Sequence, residues 1–372
     1  MDASSELVHS LLPLFLVGVL GASATALGLI EGVAEATAMI VKVFSGTVSD
    51  AMRRRKPLVV AGYALAALSK PLFALANTAG LVFGARIIDR IGKGIRGAPR
   101  DALINAATPA DVRGAAFGLR QSLDTVGAVI GPLLAIAFMI ALAGNVRAVL
   151  WVAVIPAIAA LLLLVFGVKE PESADQPKRP PLRLSQVRSL SRAYWAVVVI
   201  GGVVTLARFS EAFLILRAQD SGLAMSYVPL VMVVMSVVYA GVAYPAGVLS
   251  DRIGRHGLLI AGLVVLIAAN LVLGAATSTV AVLVGAALWG LHMGLTQGLL
   301  AAMVGDTAPS ELIGSAFGLF NLVSGIALLL ASTIAGVLWD ARGPASTFYA
   351  GAAITLVALA ALLLLQRVVR RK

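Results

Sequence analysis

Apolar runs follow one another through almost the whole chain, and that succession limits the fold more than any single motif. Repeated runs have about the 17–25 residues that a helix needs to cross the hydrocarbon core of a bilayer. The runs are continuous, whereas a membrane β-barrel alternates apolar and polar residues along each strand. Breaks between runs divide the chain into twelve expected spans, roughly 5–22, 26–49, 58–76, 81–105, 114–143, 147–168, 194–216, 226–250, 258–276, 280–304, 313–339 and 346–366. Only 13% of residues are charged and 60% are hydrophobic, against the roughly 25% charge of soluble domains. The chain reads as an all-α membrane protein of twelve transmembrane helices.

The charge distribution orients it. The net charge is +11, and an even number of spans puts both termini on one side. Loops and tail on that side hold 17 Lys and Arg, among them Arg53, Arg54, Arg55, Lys56, Arg252 and Arg255, against three on the other, Arg147, Arg217 and Arg342. This asymmetry predicts a multi-pass protein of the plasma or inner membrane with both termini in the cytoplasm. A basic excess confined to loops is topological, so nucleic acid is not an expected partner. There is no cysteine, and His9, His256 and His292 are scattered, so neither a metal centre nor a cofactor is expected. HExxH, GxSxG and Walker lysine patterns are missing, which argues against an enzyme. The first apolar run, Leu11–Leu20, is short of a full span, which predicts either more sequence upstream or a first helix that crosses only partly.

A polar, basic, proline-rich stretch, Lys169 to Ala193, separates a half at 1–168 from a half at 194–372 and reads as a cytoplasmic linker. The halves are duplicated. Pro109-Ala-Asp-Val-Arg-Gly114-Ala-Ala-Phe-Gly-Leu119 recurs 200 residues later as Pro309-Ser-Glu-Leu-Ile-Gly314-Ser-Ala-Phe-Gly-Leu319. Gly46-Thr-Val-Ser-Asp50 recurs 201 residues later as Gly247-Val-Leu-Ser-Asp251.

One span is anomalous. From Arg86 to Asp101 it carries Arg86, Asp89, Arg90, Lys93, Arg96, Arg100 and Asp101. At about 100° per residue these fall within an arc of roughly 140° on a helix. Charge facing lipid is costly, so the stripe is expected to face protein or a watery cavity. The alternative is a helix that emerges early, with Arg96 onward in a solvated loop; that leaves Arg86, Asp89 and Arg90 unexplained. Gly92-x-Gly94-x-x-Gly97 within it matches a dinucleotide fingerprint but lacks the preceding strand, and reads as helix packing. Other charges at membrane depth are Glu31 and Glu35 in the second span, Lys42, Lys70, Arg120 with Asp124, and Arg208 with Glu211. The last two pairs, at helical spacing, either neutralise one another or serve function. Glu31 and Glu35 have no partner on their own helix and would pair with Lys70 or with the stripe.

The motifs together resemble the major facilitator superfamily, whose repeat-built architecture is well established. Gly247-Val-Leu-Ser-Asp251-Arg252-Ile-Gly-Arg255 is similar to that family's loop motif between the second and third helices of a half; Gly46, Asp50, Arg54 and Arg55 are its degraded copy, with Ala51 and Arg53 in place of the usual arginine and glycine. Gly127-x-x-x-Gly131-Pro132 in the fifth span resembles the motif of the family's exporters, and Arg90-x-x-Lys93-Gly94 falls where exporters carry an arginine in the fourth helix. The longer string around it resembles a prokaryotic branch associated with export of metal chelates. The resemblance implies a monomeric secondary transporter, embedded in the lipid bilayer, that rocks two six-helix halves in alternating access. The implied activity is proton-coupled efflux, by antiport, of a small organic solute, anionic or a metal chelate. Arg86, Arg90, Lys93 and Arg96 are the expected substrate contacts, and Glu31, Glu35, Asp89 and Asp124 the expected proton carriers. Two other readings remain: an exporter of lipophilic cations, and a membrane sensor or scaffold without turnover.

Overall fold

The structure is a computed structural model that describes residues 1–51, 55–170, 190–309 and 312–370. Most of the basic linker, and Arg54 of the degraded loop motif, lie outside the described residues, as do the side chains of Asp50, Asp251 and Arg252. Among the described residues every regular element is helical. Fourteen α-helices follow in order: α1 (Asp2–Pro13), α2 (Ala24–Ala51), α3 (Lys56–Leu75), α4 (Ala79–Ala107), α5 (Arg113–Ala141), α6 (Val146–Val152), α7 (Val154–Leu162), α8 (Arg192–Leu206), α9 (Ala212–Asp220), α10 (Leu230–Ile253), α11 (Arg255–Ala275), α12 (Thr279–Thr307), α13 (Ile313–Arg342) and α14 (Pro344–Arg370). They make twelve spans, because α6 and α7 run on into a π turn as one apolar segment, Val146–Gly167, and α8 and α9 are two pieces of the seventh span. α1 likewise continues as a π turn over Leu14–Val19, giving an 18-residue apolar segment. By length and composition alone, nine segments among the described residues qualify to cross a membrane.

Two compact units are built from these helices. Unit 1 holds Met1–Gly21 and Val33–Arg183; unit 2 holds Ala22–Gly32 and Leu184–Lys372. The first third of α2 is therefore part of unit 2, and the reason is local. Asp340 of α13 accepts hydrogen bonds from the backbone N–H groups of Ala24 (3.1 Å) and Thr25 (2.8 Å), and from the Thr25 hydroxyl (2.6 Å). A carboxylate thus caps the positive start of α2 from another helix. Below that cap α2 and α13 are so close that a Cβ on Gly28 would stand 2.1 Å from the carbonyl oxygen of Ser332.

In unit 1, α3 and α4 approach closely enough that a Cβ on Gly92 would stand 2.6 Å from the Gly62 carbonyl oxygen. Gly92 of the apparent dinucleotide fingerprint is thus a packing residue. The exporter-like glycines of α5 seat α1: a Cβ on Gly127 would meet Asp2 at 3.0 Å, and one on Gly131 would meet Ala3 and Glu6 at 2.7 Å. In unit 2 the centre is aromatic. Phe209 packs against Trp289, Phe213 and Phe348 with centroids 5.3–5.5 Å apart, and Trp339 closes the group. Met232 and Met235 are buried in the same unit.

Two of the three arginines expected outside are structural. Arg217 donates to the carbonyls of Leu273 (2.9 Å), Gly274 (3.3 Å) and Ala276 (2.8 Å), closing the C-terminal end of α11. Arg147 donates to Ala74 at the end of α3 (2.9 Å) and lies over the Phe15 ring. Helix C-termini leave carbonyls unpaired, and a guanidinium is suited to collecting several.

Candidate functional site

Thr78 caps the start of α4 by accepting from Leu81 N–H, and from there one unbroken helix carries the charged stripe through unit 1. The early-ending alternative is excluded, since α4 runs to Ala107. Its charges resolve into two clusters with a gap between them.

The first cluster is buried. Asp89 accepts from Lys70 of α3 at 2.7 Å and lies 3.2 Å from Arg90 and 4.0 Å from Arg86. Lys70 also donates to the Ser5 hydroxyl at 3.2 Å. Glu35 of α2 accepts from Arg90 at 2.7 Å and stands 3.9 Å from Arg86. Lys70, Arg86, Asp89 and Arg90 are each 1–3% exposed, so their solvation is supplied by one another. Of the two acids of the second span, Glu35 reaches the stripe; Glu31, almost fully buried, lies in the part of α2 that belongs to unit 2.

The second cluster is a ring of alternating charge. Asp124 stands 2.9 Å from Arg120 and 3.6 Å from Arg100; Asp101 stands 3.6 Å from Arg100 and 3.7 Å from Arg120. Its members are only partly buried, with 22–38% of each side chain exposed. The i,i+4 pair of Arg120 and Asp124 is thus half of a four-membered arrangement that ties α5 to α4.

Lys93 and Arg96 occupy the gap. Lys93 is exposed and, among the described residues, makes no hydrogen bond and no close ion pair, although Glu35 and Glu6 stand near enough to attract it. Arg96 is 4% exposed, lies over the Tyr63 ring and stands 3.6 Å from Asp2, while its Nη1 has no hydrogen-bond partner. Of the four expected substrate contacts, Arg86, Arg90 and Arg96 are engaged by acids of the protein, and Lys93 makes no close ion pair among the described residues. Lys42, exposed on α2, lays its methylenes along Gly97 as a snorkelling lysine does.

Unit 2 places neutral groups at the matching positions. An offset of 200 maps Lys70, Arg86, Asp89, Arg90, Lys93 and Arg96 onto Asn270, Ala286, Trp289, Gly290, Met293 and Thr296. Asn270 bonds back to Leu266, Trp289 joins the aromatic centre, and a Cβ on Gly290 would meet Met235 backbone at 2.2 Å. His292 is fully buried with one ring nitrogen 2.9 Å from the Gly262 carbonyl oxygen. The charge of α4 is therefore no requirement of the scaffold.

The seventh span holds what its hydropathy conceals. It is interrupted between Leu206 and Ala212, and Ser332 of α13 accepts from the Ser210 N–H that the break leaves free. Arg208 and Glu211 sit in this break, half-buried, and do not pair with one another or with another described residue. The only sequence signal was the polar cluster Arg208, Ser210, Glu211, without glycine or proline. In the loop motif of unit 2, Arg255 pairs with Asp306, and Gly247 lines a cavity between α10 and α12.

The model of the Major Facilitator Superfamily matches residues 2–217 and again 209–372. The chain belongs to the major facilitator superfamily. The MFS-type transporter MJ1317 of Methanocaldococcus jannaschii is 32% identical over 364 residues, which is 96% of this chain and 89% of that protein. The multidrug resistance protein MdtH of Photorhabdus laumondii is 32% identical over 127 residues, 34% of this chain and 31% of its own. The crystal structure of the nucleoside transporter NupG shares the fold, with a TM-score of 0.80 at 14% identity over 97% of this chain and 95% of that one. This superfamily member is accordingly a multi-pass membrane transporter, and its two six-helix repeats are the family's fold.

Proposed function

We propose that this transporter exports a small organic anion, or an anionic metal chelate, by exchange for protons. Lys93 carries the reading. It is an exposed ammonium without a close ion pair, attracted only at longer range by Glu35 and Glu6, on a stripe whose other bases each lie within ion-pair distance of Glu35, Asp89, Asp2, Asp101 or Asp124. A cation at membrane depth without a close counter-ion is costly unless a partner visits it. An anionic solute is such a partner, and Arg96 Nη1 beside it offers a second donor. The ring around Asp124, partly open to water, is the proposed proton site, and the α5 glycine motif favours export. The cytoplasmic placement of both termini and the rocking of the two halves belong to the same proposal, supported by the asymmetry of loop charge and the duplication.

The partial likeness to a multidrug resistance protein favours a second reading, efflux of lipophilic cations. For that, an acid should stand open, yet Glu35 and Asp124 are each held by arginine. Purified protein in vesicles, tested with carboxylates, phosphates and metal chelates and with lipophilic cations, separates the two. Anion flux should depend on a pH gradient and fall in Lys93→Gln. Equal cation flux in both proteins would sink the anion reading.

A further inference from the structure

One face of α12, which shares only Met293 with the positions that correspond to the stripe, lines a cavity of about 350 Å³ within unit 2. Its wall includes Tyr239, Met293, Gly298, Leu299, Ala302 and Arg255. Met293 stands where α4 has Lys93. Of the three evenly spaced glycines of α12, Gly290 and Gly294 are filled by α10, from Met235 and Val242 respectively. Gly298 is not: a Cβ there would meet nothing within 4 Å. Its missing side chain therefore serves space rather than contact.

The lining is chemically one-sided. It offers methylenes, a thioether, a phenol and the Ser250 hydroxyl, which is spent on the Gly247 carbonyl, together with the Arg255 guanidinium. Arg255 commits one nitrogen to Asp306 and has further donors in its fork. The volume lies within the roughly 300–1,000 Å³ of small-molecule sites, which are mostly apolar with few placed polar groups. We propose that this cavity binds an amphipathic organic anion of solute size, its apolar body along Met293, Gly298 and Leu299 and its carboxylate or phosphate on Arg255. The site is confined to unit 2 and does not depend on the anion contact proposed at Lys93.

The probe is tritiated 1-naphthoate, with 1-naphthylmethylamine as its cationic counterpart, in equilibrium dialysis against the purified full-length protein and a micelle blank. The carboxylate should bind at least roughly tenfold tighter than the amine, the ratio expected from one charge-assisted contact. Gly298→Leu fills the cavity without meeting backbone and should weaken naphthoate roughly tenfold or more, with Gly298→Ala between. Gly241→Leu, also free of contacts but outside the cavity lining, reports any general effect of added bulk and should bind as the parent does. Arg255→Gln should abolish the preference for carboxylate over amine. Unchanged naphthoate affinity in a folded Gly298→Leu overturns the proposal, as does unchanged charge preference in Arg255→Gln. Loss of affinity in Lys93→Gln with Gly298→Leu silent places the probe in unit 1, which overturns this site and leaves the function proposed above standing. Displacement by phosphatidylglycerol in mixed micelles but not by unlabelled naphthoate assigns the cavity to lipid and likewise overturns it.

Discussion

The ammonium of Lys70 lies 2.7 Å from a carboxylate oxygen of Asp89, and neither side chain is more than 3% exposed. The equivalent residues of the other half, Asn270 and Trp289, are neutral. Removing one member of a buried pair strands its partner and costs about 3–5 kcal/mol, whereas replacing both with apolar groups can be neutral. Asp89→Asn should therefore lower thermal stability in detergent sharply, because it leaves the buried Lys70 without its carboxylate and removes an acid that also faces Arg86 and Arg90. Lys70→Met combined with Asp89→Leu should recover most of that loss. Thermal unfolding of the two variants is the measurement; a double variant no more stable than Asp89→Asn would show that the pair has a role beyond mutual neutralisation.

Arg217 illustrates a different use of charge. Its guanidinium collects three carbonyls at the end of α11, and the residue is 8% exposed. Arg217→Ala should cost about 1.5–3 kcal/mol, in line with hydrogen bonds from a charged donor. Arg147, with a single carbonyl contact to Ala74, should cost less when changed to Ala. Proteolysis and thermal unfolding of both variants will rank them, and an equal loss would contradict the capping account.

The glycines of α5 make a steric prediction. A Cβ at 131 would fall 2.7 Å from the Ala3 carbonyl oxygen, whereas at 118 it would meet nothing within 4 Å. Gly131→Ala should thus push α1 from α5, at about 1–3 kcal/mol for overpacking, while Gly118→Ala should be silent. Cysteine crosslinking between α1 and α5 reads the displacement directly, since the chain has no cysteine of its own. An unchanged crosslinking yield in Gly131→Ala would mean that the seam can yield without separating.

How far the sequence was legible follows from what periodicity can encode. Spacing at 3.6 residues placed Arg86, Asp89, Arg90, Lys93 and Arg96 on one side of α4, and the duplicated motifs marked two halves; both are local or repeated patterns. Which acid faces which base is not local. Lys70 meets Asp89 from the preceding helix, and Glu35 meets Arg90 from 55 residues away, so Lys93 could not be singled out as the base without a close acid. The break beside Arg208 was hidden for another reason: Ser210 and Ser332 exchange a hydrogen bond that replaces part of the helical ladder, and no breaker residue is needed. Hydropathy averages over such a segment and reports one continuous span.

Asp124 carries the last prediction. It stands between Arg100 and Arg120 at 3.6 and 2.9 Å, part of a ring in which Asp101 faces the same two arginines at 3.6 and 3.7 Å. With 29% of its side chain exposed, the stabilisation from its ion pairs is screened, and Asp124→Asn should cost about 1 kcal/mol or less. A neutral amide still bonds to guanidinium but cannot gain or lose a proton. If Asp124 carries the exchanged proton, Asp124→Asn should express and fold as the parent does, and still exchange labelled anion across vesicles at equal pH. It should no longer accumulate anion in response to a pH gradient. Asp101→Asn, which removes the other acid of the ring, should weaken the ring to a similar degree and leave gradient-driven uptake in place. Full gradient-driven uptake in Asp124→Asn removes this carboxylate from coupling, and equal loss in both variants assigns the effect to the ring's integrity instead.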